Sequence, residues 1–209
     1  MGRRALSTHP APGAVPTLTE PQTPRLGAER PAIEVHLDFA RRLFSDPQIA
    51  ATLWPRHLGG PRSASQTEAV FERDLAHWQR HGFGQWWWRE RESGELVARG
   101  GLQWTMVGGE AAVEVGWAVL PERWNEGLAT ELAGASIAVG FEDLGLDSIV
   151  AYTLVTNAAS RRVMEKVGLA YERRVRHLDL PHVLYRLSAR EWRVLSPGAQ
   201  TSIRTRNAP

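Results

Sequence analysis

Two short segments concentrate the residues of this 209-residue chain that can do chemistry. The first, Trp124-Asn125-Glu126-Gly127-Leu128-Ala129-Thr130, follows a strand-like pattern and opens a helical one. Amides in the first turn of a helix lack internal acceptors and carry partial positive charge, so they hold phosphate well. Gly127 has no Cβ and lets a pyrophosphate approach the main chain, Ala129 is small for the same reason, and Thr130 adds a hydroxyl donor. Neither a G-x-G-x-x-G fingerprint nor a G-x-x-x-x-G-K-[ST] loop is present, so the heptad alone fits a plain helix start equally well. The second segment begins at Asn157, a residue type suited to cap a helix N-terminus. Two helix N-termini from adjacent βα units suit a ligand with phosphates and an amide-rich arm.

The elements that must position these segments are legible from periodicity. Residues 23–30 form a short first strand, and residues 32–43 carry apolar side chains at helical spacing up to Asp46-Pro47. A second helix spans 65–81, with Ser65 as N-cap and Glu68 completing a capping box. From Gly84 the period changes. GQWWWRERE and LVARGGLQW form a hairpin turning at Ser93-Gly94, and Gly108-Gly109 leads into AAVEVGWAVL, a third antiparallel strand. Residues 129–144 form a helix closed by Gly145, 147–155 a buried parallel strand, and 160–167 a short helix ended by Gly168. Residues 169–176 and 182–187 form a closing hairpin. The order is β-α-α-β-β-β-α-β-α-β-β, an α/β layout around a mixed sheet.

Composition narrows the function classes. The chain is long enough for one domain with appendages. Residues 1–22 read as a disordered leader, 23–192 as the domain and 193–209 as a flexible tail. Net charge is only +2, with Lys166 the sole lysine, so a basic nucleic-acid stripe is not expected. There is no cysteine, which excludes disulfides, thiolate nucleophiles and Cys-based metal sites. Arg3-Arg4 precedes no apolar segment of about 7–15 residues, which argues against export. No run reaches the roughly 18 apolar residues of a membrane span. A cytoplasmic protein without membrane or nucleic-acid partners is expected, either monomer or homodimer. The histidines show no metal-ligand spacing, so no metal site is expected. Trp86 and Trp88 share one face of their strand and Trp87 the other, for core packing or for lining a pocket.

The stretch 114–172 resembles the GNAT superfamily of acetyl-CoA-dependent N-acetyltransferases, and more closely its Rim-type branch of ribosomal-protein N-terminal acetyltransferases. The likeness is carried by Glu114-Val115-Gly116-Trp117, Pro121, Trp124, Gly127 and Ala129-Thr130-Glu131, then by Asn157, Ser160, Arg162-Val163, Glu165-Lys166 and Gly168-Leu169. It extends over residues 23–192. Two positions depart from the pattern: Asn125 stands where the branch has Gly, and Met164 where many members have a catalytic tyrosine.

The resemblance implies a mixed, mostly antiparallel sheet flanked by helices, with a central parallel pair that splays to admit a pantetheine arm. Val119 and Leu120 are then the main-chain contacts for that arm. Trp124, Asn125, Gly127, Leu128, Ala129 and Thr130 make up the pyrophosphate turn. Asn157 holds the arm or caps its helix, and Arg162 or Ser160 reaches the adenosine-phosphate end. Acetyl-CoA would be the co-substrate and a primary amine the acceptor, on a peptide N-terminus or a small molecule. Glu114 is the candidate base, or it pairs with an arginine of a neighbouring strand. With Met164 unable to supply a proton, Ser160, a water or another tyrosine takes the acid's place, or none is needed. An α-amine with a pKa of about 7.7–8.0 is already partly neutral at pH 7, so the base contributes about 10²-fold and positioning the rest. The alternative is a catalytically silent acyl-CoA-binding domain with a regulatory role.

Overall fold

The computed structural model describes residues 18–195; residues 1–17 of the expected leader and 196–209 of the expected tail lie outside them. The elements are β1 (Leu26–Glu29), α1 (Ile33–Ser45), α2 (Pro47–Leu53), α3 (Ala64–His81), β2 (Gln85–Glu90), β3 (Leu96–Val107) and β4 (Glu110–Val119). They continue as α4 (Leu128–Ala138), β5 (Ser148–Leu154), α5 (Ala158–Lys166), β6 (Ala170–His177), β7 (Leu180–Ser188) and α6 (Ala189–Leu195). One seven-stranded sheet has the order β1-β2-β3-β4-β5-β7-β6. Every neighbouring pair is antiparallel except β4 and β5, which run parallel and share a single register pair, Glu114 with Val150. This is the mixed sheet with a splayed central pair that the resemblance implies.

Local chemistry explains the helix boundaries, and three differ from the sequence reading. Ser63, not Ser65, caps α3: its hydroxyl accepts from the Gln66 amide, and Gln66 returns the bond in a capping box. Both registers satisfy the Ser-x-x-Glu/Gln rule, and the chain takes the earlier one, ahead of the inward face of Thr67, Val70, Phe71, Asp74 and Trp78. Asp46-Pro47 ends α1 and also starts a helix the periodicity missed. The Asp46 carboxylate accepts from Gln48 and Ile49, and Pro47 sits where a missing N–H is harmless. Helix α4 stops at Ala138 and widens into a π turn, Val139–Asp143.

The core lies on both faces of the sheet. Trp86, Trp87 and Trp88 are all fully buried. Trp87 faces α1 and α3, stacked on Phe71 at 5.6 Å, while Trp86 and Trp88 pack on the side covered by α4. Each aromatic side chain buried this way contributes about 1.5–3 kcal/mol. All three are core residues, and none lines the cleft described below. Leu18 is buried in the same core, and α6 continues to Leu195, with Trp192 stacked on Phe141 at 5.6 Å. Among the described residues, no helix is long and apolar enough to cross a membrane.

Candidate active site

The site is a consequence of the single rung between β4 and β5. Beyond Glu114 and Val150 the strands diverge, and their facing edges are left without partners in the sheet. At the end of β4 the Leu120 amide donates to Val97 on the β3 side at 3.0 Å. Alternation along a strand therefore turns the Val119 N–H and C=O to the other edge, into the gap. There the Trp124 indole N–H donates to the Val119 carbonyl at 2.7 Å, so the N–H is the open group. Leu120, expected to share this role, is buried, spends its amide on Val97 and does not line the cleft.

The turn into α4 begins at a glycine. Gly127 occupies the N-cap position with φ +82° and offers no side-chain cap, so the first-turn amides of Leu128, Ala129 and Thr130 keep their orphan character. An L-residue is strained at that φ. Asn125 also takes a left-handed conformation, φ +67°, one that Asn tolerates better than most side chains. The substitution of Asn for the branch's glycine thus leaves the turn intact. Glu131, in the same helical turn, would repel a phosphate if it faced the gap. Its carboxylate instead accepts from Thr23 at 2.6 Å and from the Arg25 amide and guanidinium at 3.0 and 2.7 Å. Burial pushes this carboxyl up, but those bonds outweigh it and hold it below the usual carboxylate range.

A cavity of about 880 Å³ joins this turn to the divergence point. Of the residues expected at the site, Glu114, Val119, Trp124, Asn125, Gly127, Leu128, Ala129, Thr130, Asn157, Ser160 and Arg162 all line it. Asn157 caps α5, its side-chain oxygen accepting from the Ser160 amide at 3.1 Å, which leaves its NH₂ group for other partners. Ser160 makes no hydrogen bond to Glu114 among the described residues. Met164 is buried against the core.

Glu114 sits at the apex. Gln103, its register partner on β3, donates to the carboxylate, and the hydroxyls of Tyr152 on β5 and Thr105 on β3 lie near enough to favour its charged form. Burial is the dominant influence and raises its pKa, against the opposing pull of those donors and of Arg99. Glu114 forms no ion pair among the described residues. Arg99, the arginine of the neighbouring strand, is committed to Asp74 through two hydrogen bonds of 2.8 and 2.7 Å. Tyr152 is the residue that sequence reasoning missed. Burial first, and the Glu114 charge second, push its phenol well above the ordinary tyrosine value, so it remains a proton donor. Its hydroxyl lies 3.1 Å from Thr105 Oγ1 and 3.5 Å from His177 Nε2. Its signal in the sequence was position alone, as the one hydroxyl-bearing aromatic in the apolar β5 run.

The acetyltransferase (GNAT) domain family matches residues 25–170, from β1 to the first residue of β6. The chain belongs to the GNAT acetyltransferase family. Its members are acyltransferases that use acetyl-CoA, and the open β4 edge and the glycine-capped turn are features such a co-substrate fits. An uncharacterized N-acetyltransferase of Bacillus subtilis, YoaA, is 28% identical over 110 residues, covering 53% of this chain and 62% of its own. The crystal structure of an acetyltransferase from Agrobacterium tumefaciens superposes with a TM-score of 0.68 at 26% identity, covering 89% of this chain and 99% of that one. RimL, a ribosomal L7/L12 α-N-protein acetyltransferase solved with coenzyme A, superposes at 0.62 with 16% identity over 83% and 97% of the two chains. At that identity the likeness is one of fold.

Proposed function

We propose that this GNAT protein transfers the acetyl group of acetyl-CoA to a primary amine, by direct attack within a ternary complex in the cytoplasm. The observation that carries the reading is the placement of Glu114. It is the one buried carboxylate at the point where β4 and β5 part, in the same cleft as the glycine-capped turn. The motif residues Glu114-Val115-Gly116-Trp117 and Trp124 favour the Rim-type branch.

Acetyl-CoA supplies an activated acetyl thioester. The first-turn amides of α4 and Thr130 hold its phosphates, the Val119 N–H and the Asn157 NH₂ group hold the pantetheine arm, and Arg162 faces the adenosine-phosphate end. A backbone N–H at a strand end costs no reorganisation, so Val119 also suits charge that develops on the carbonyl oxygen. Glu114 takes the proton from the amine nitrogen, and its raised pKa suits a base working near neutrality. Tyr152, next to that carboxylate, returns a proton to the leaving sulfur and recovers one from Glu114. One proton thus passes from nitrogen to sulfur. Ser160 lies on the α5 side of the cleft with Asn157 and serves the cofactor end in this scheme.

The test is incubation with acetyl-CoA and a pooled library of amines and peptides while free thiol is followed. Thiol release that depends on an added amine, with an acetylated product by mass spectrometry, is expected. Saturable CoA binding with no thiol release for any acceptor would sink the proposal.

A further inference from the structure

The cleft has a second region, walled by α2, α3 and the turn between β6 and β7, and its charges are unevenly committed. The walls are largely apolar, with Leu53, Trp54, Leu58, Leu178 and Leu180 among the lining residues. Of the described residues, only two carboxylates line the whole cleft, Asp74 and Glu114. Asp74 is neutralised by the bidentate Arg99, with its own side chain only 3% exposed. Glu114 is held by Gln103 and is the proposed base. Two arginines at this end of the cleft are not balanced in this way. Arg73, one residue before Asp74 on α3, lines the cleft and makes no hydrogen bond or ion pair with any described residue. Arg62 lies 4.4 Å over the ring of Trp54, which also lines the cleft, and its one side-chain hydrogen bond goes to the Leu58 carbonyl. The positive charge of Arg73 is felt both at Arg62 and at Tyr152.

A polyamine or an aminoglycoside carries several ammonium groups, and each one taken out of water needs an anionic or hydrogen-bonding partner. Beyond the base, this cleft has no carboxylate to give one. An acceptor with an anionic group finds instead an uncommitted guanidinium, the group best suited to a carboxylate or phosphate. We propose that the acceptor is a primary amine with an apolar body and an anionic group that Arg73 receives, and that polycationic amines are rejected. This inference rests on the acetyltransferase reading above.

The experiment measures kcat/KM with acetyl-CoA for L-phenylalanine, L-phenylalaninamide, phosphoethanolamine, a peptide amide with aspartate at its second position, spermidine and kanamycin. The full chain is compared with Arg73→Glu and, as a charge-matched control, Arg190→Glu, which is exposed on α6 and outside the cleft. At least one anionic acceptor should exceed phenylalaninamide and both polycations by about tenfold or more, the scale of one charge-assisted contact. The three anionic members tell which source of charge is used. Arg73→Glu should abolish that preference and Arg190→Glu should keep it. Faster turnover of spermidine or kanamycin, or a preference untouched by Arg73→Glu, overturns the inference and leaves the transferase reading standing. Thiol release with no amine at all overturns both.

Discussion

The phenol of Tyr152 and the carboxylate of Glu114 lie within each other's electrostatic reach, just beyond the single rung that β4 and β5 share. Strand pairing there does two things at once. It brings the proposed base and the proposed acid near one another from separate strands, and by ending it opens the gap beside them.

Replacing the proposed base separates its chemical from its structural effect. Glu114→Gln keeps the shape and the bond with Gln103 after an amide flip, and kcat should fall by about 10²–10⁴-fold. Because burial raises the folded-state pKa of Glu114 above its unfolded value, its contribution to stability is present at low pH and is lost as pH rises through the raised value. The variant should therefore melt higher than the parent at pH 8, by a few degrees at about 2–4 °C per kcal/mol. That advantage should vanish near pH 4. Thermal melts at the two pH values check the sign.

The same shift sets the pH dependence of turnover. Activity should rise with pH as Glu114 deprotonates, with a midpoint above the usual carboxylate range. In Tyr152→Phe the carboxylate loses a donor that lowers its pKa, so the acidic limb should move to still higher pH while kcat falls about 10- to 100-fold. A profile of kcat/KM against pH for both proteins decides this. An unmoved limb would remove Tyr152 from the mechanism.

The phosphate turn is tested at its cap. Gly127→Glu places a side chain at φ +82°, a strain of roughly 1–3 kcal/mol, and sets a carboxylate where the phosphates are expected. CoA affinity by calorimetry should drop at least about tenfold, with a folded protein by circular dichroism. Unchanged affinity refutes the assignment.

Asn157 holds two candidate roles that one substitution can split. Asn157→Ser preserves an oxygen able to cap α5 but removes the NH₂ group. Stability should change by only a few tenths of a kcal/mol, against about 1 kcal/mol for Asn157→Ala. Both variants should bind CoA more weakly if the NH₂ group holds the pantetheine arm, and equal affinities for all three proteins would leave only the cap.

The Asp74–Arg99 pair frames the acceptor side. With side chains only 3% and 12% exposed, removal of one partner leaves a charge in the interior. Asp74→Ala should cost about 3–5 kcal/mol, read from urea unfolding, and the double variant Asp74→Leu with Arg99→Met should recover most of it.

Much of this was legible before any coordinates. The strands at β2 to β5 follow from alternation and from paired glycines, and the turn at Gly127 follows from a strand running into a helix. Where two sequence registers satisfied one rule, the sequence could not choose: Ser63 and Ser65 each precede a Glu or Gln by three, and the folded chain uses Ser63. Helix α2 was hidden because Asp46-Pro47 signals both a stop and a start, yet its end carries Leu53 and Trp54 into the cleft. The three consecutive tryptophans read equally well as core or pocket, and full burial on both sheet faces decided for the core.

By itself the sequence determined the family, the element order apart from helices α2 and α6, the glycine-capped turn and the candidate base, because these rest on local periodicity and on motifs set by backbone geometry. Tertiary structure alone decided what faces what. It gave Arg99 to Asp74, leaving Glu114 without an arginine, brought Tyr152 to that carboxylate from 38 positions along the chain, turned Glu131 away from the phosphate turn and left Arg73 uncommitted. Such pairings depend on strand order and on where β4 and β5 cease to pair, and neither is encoded at short range.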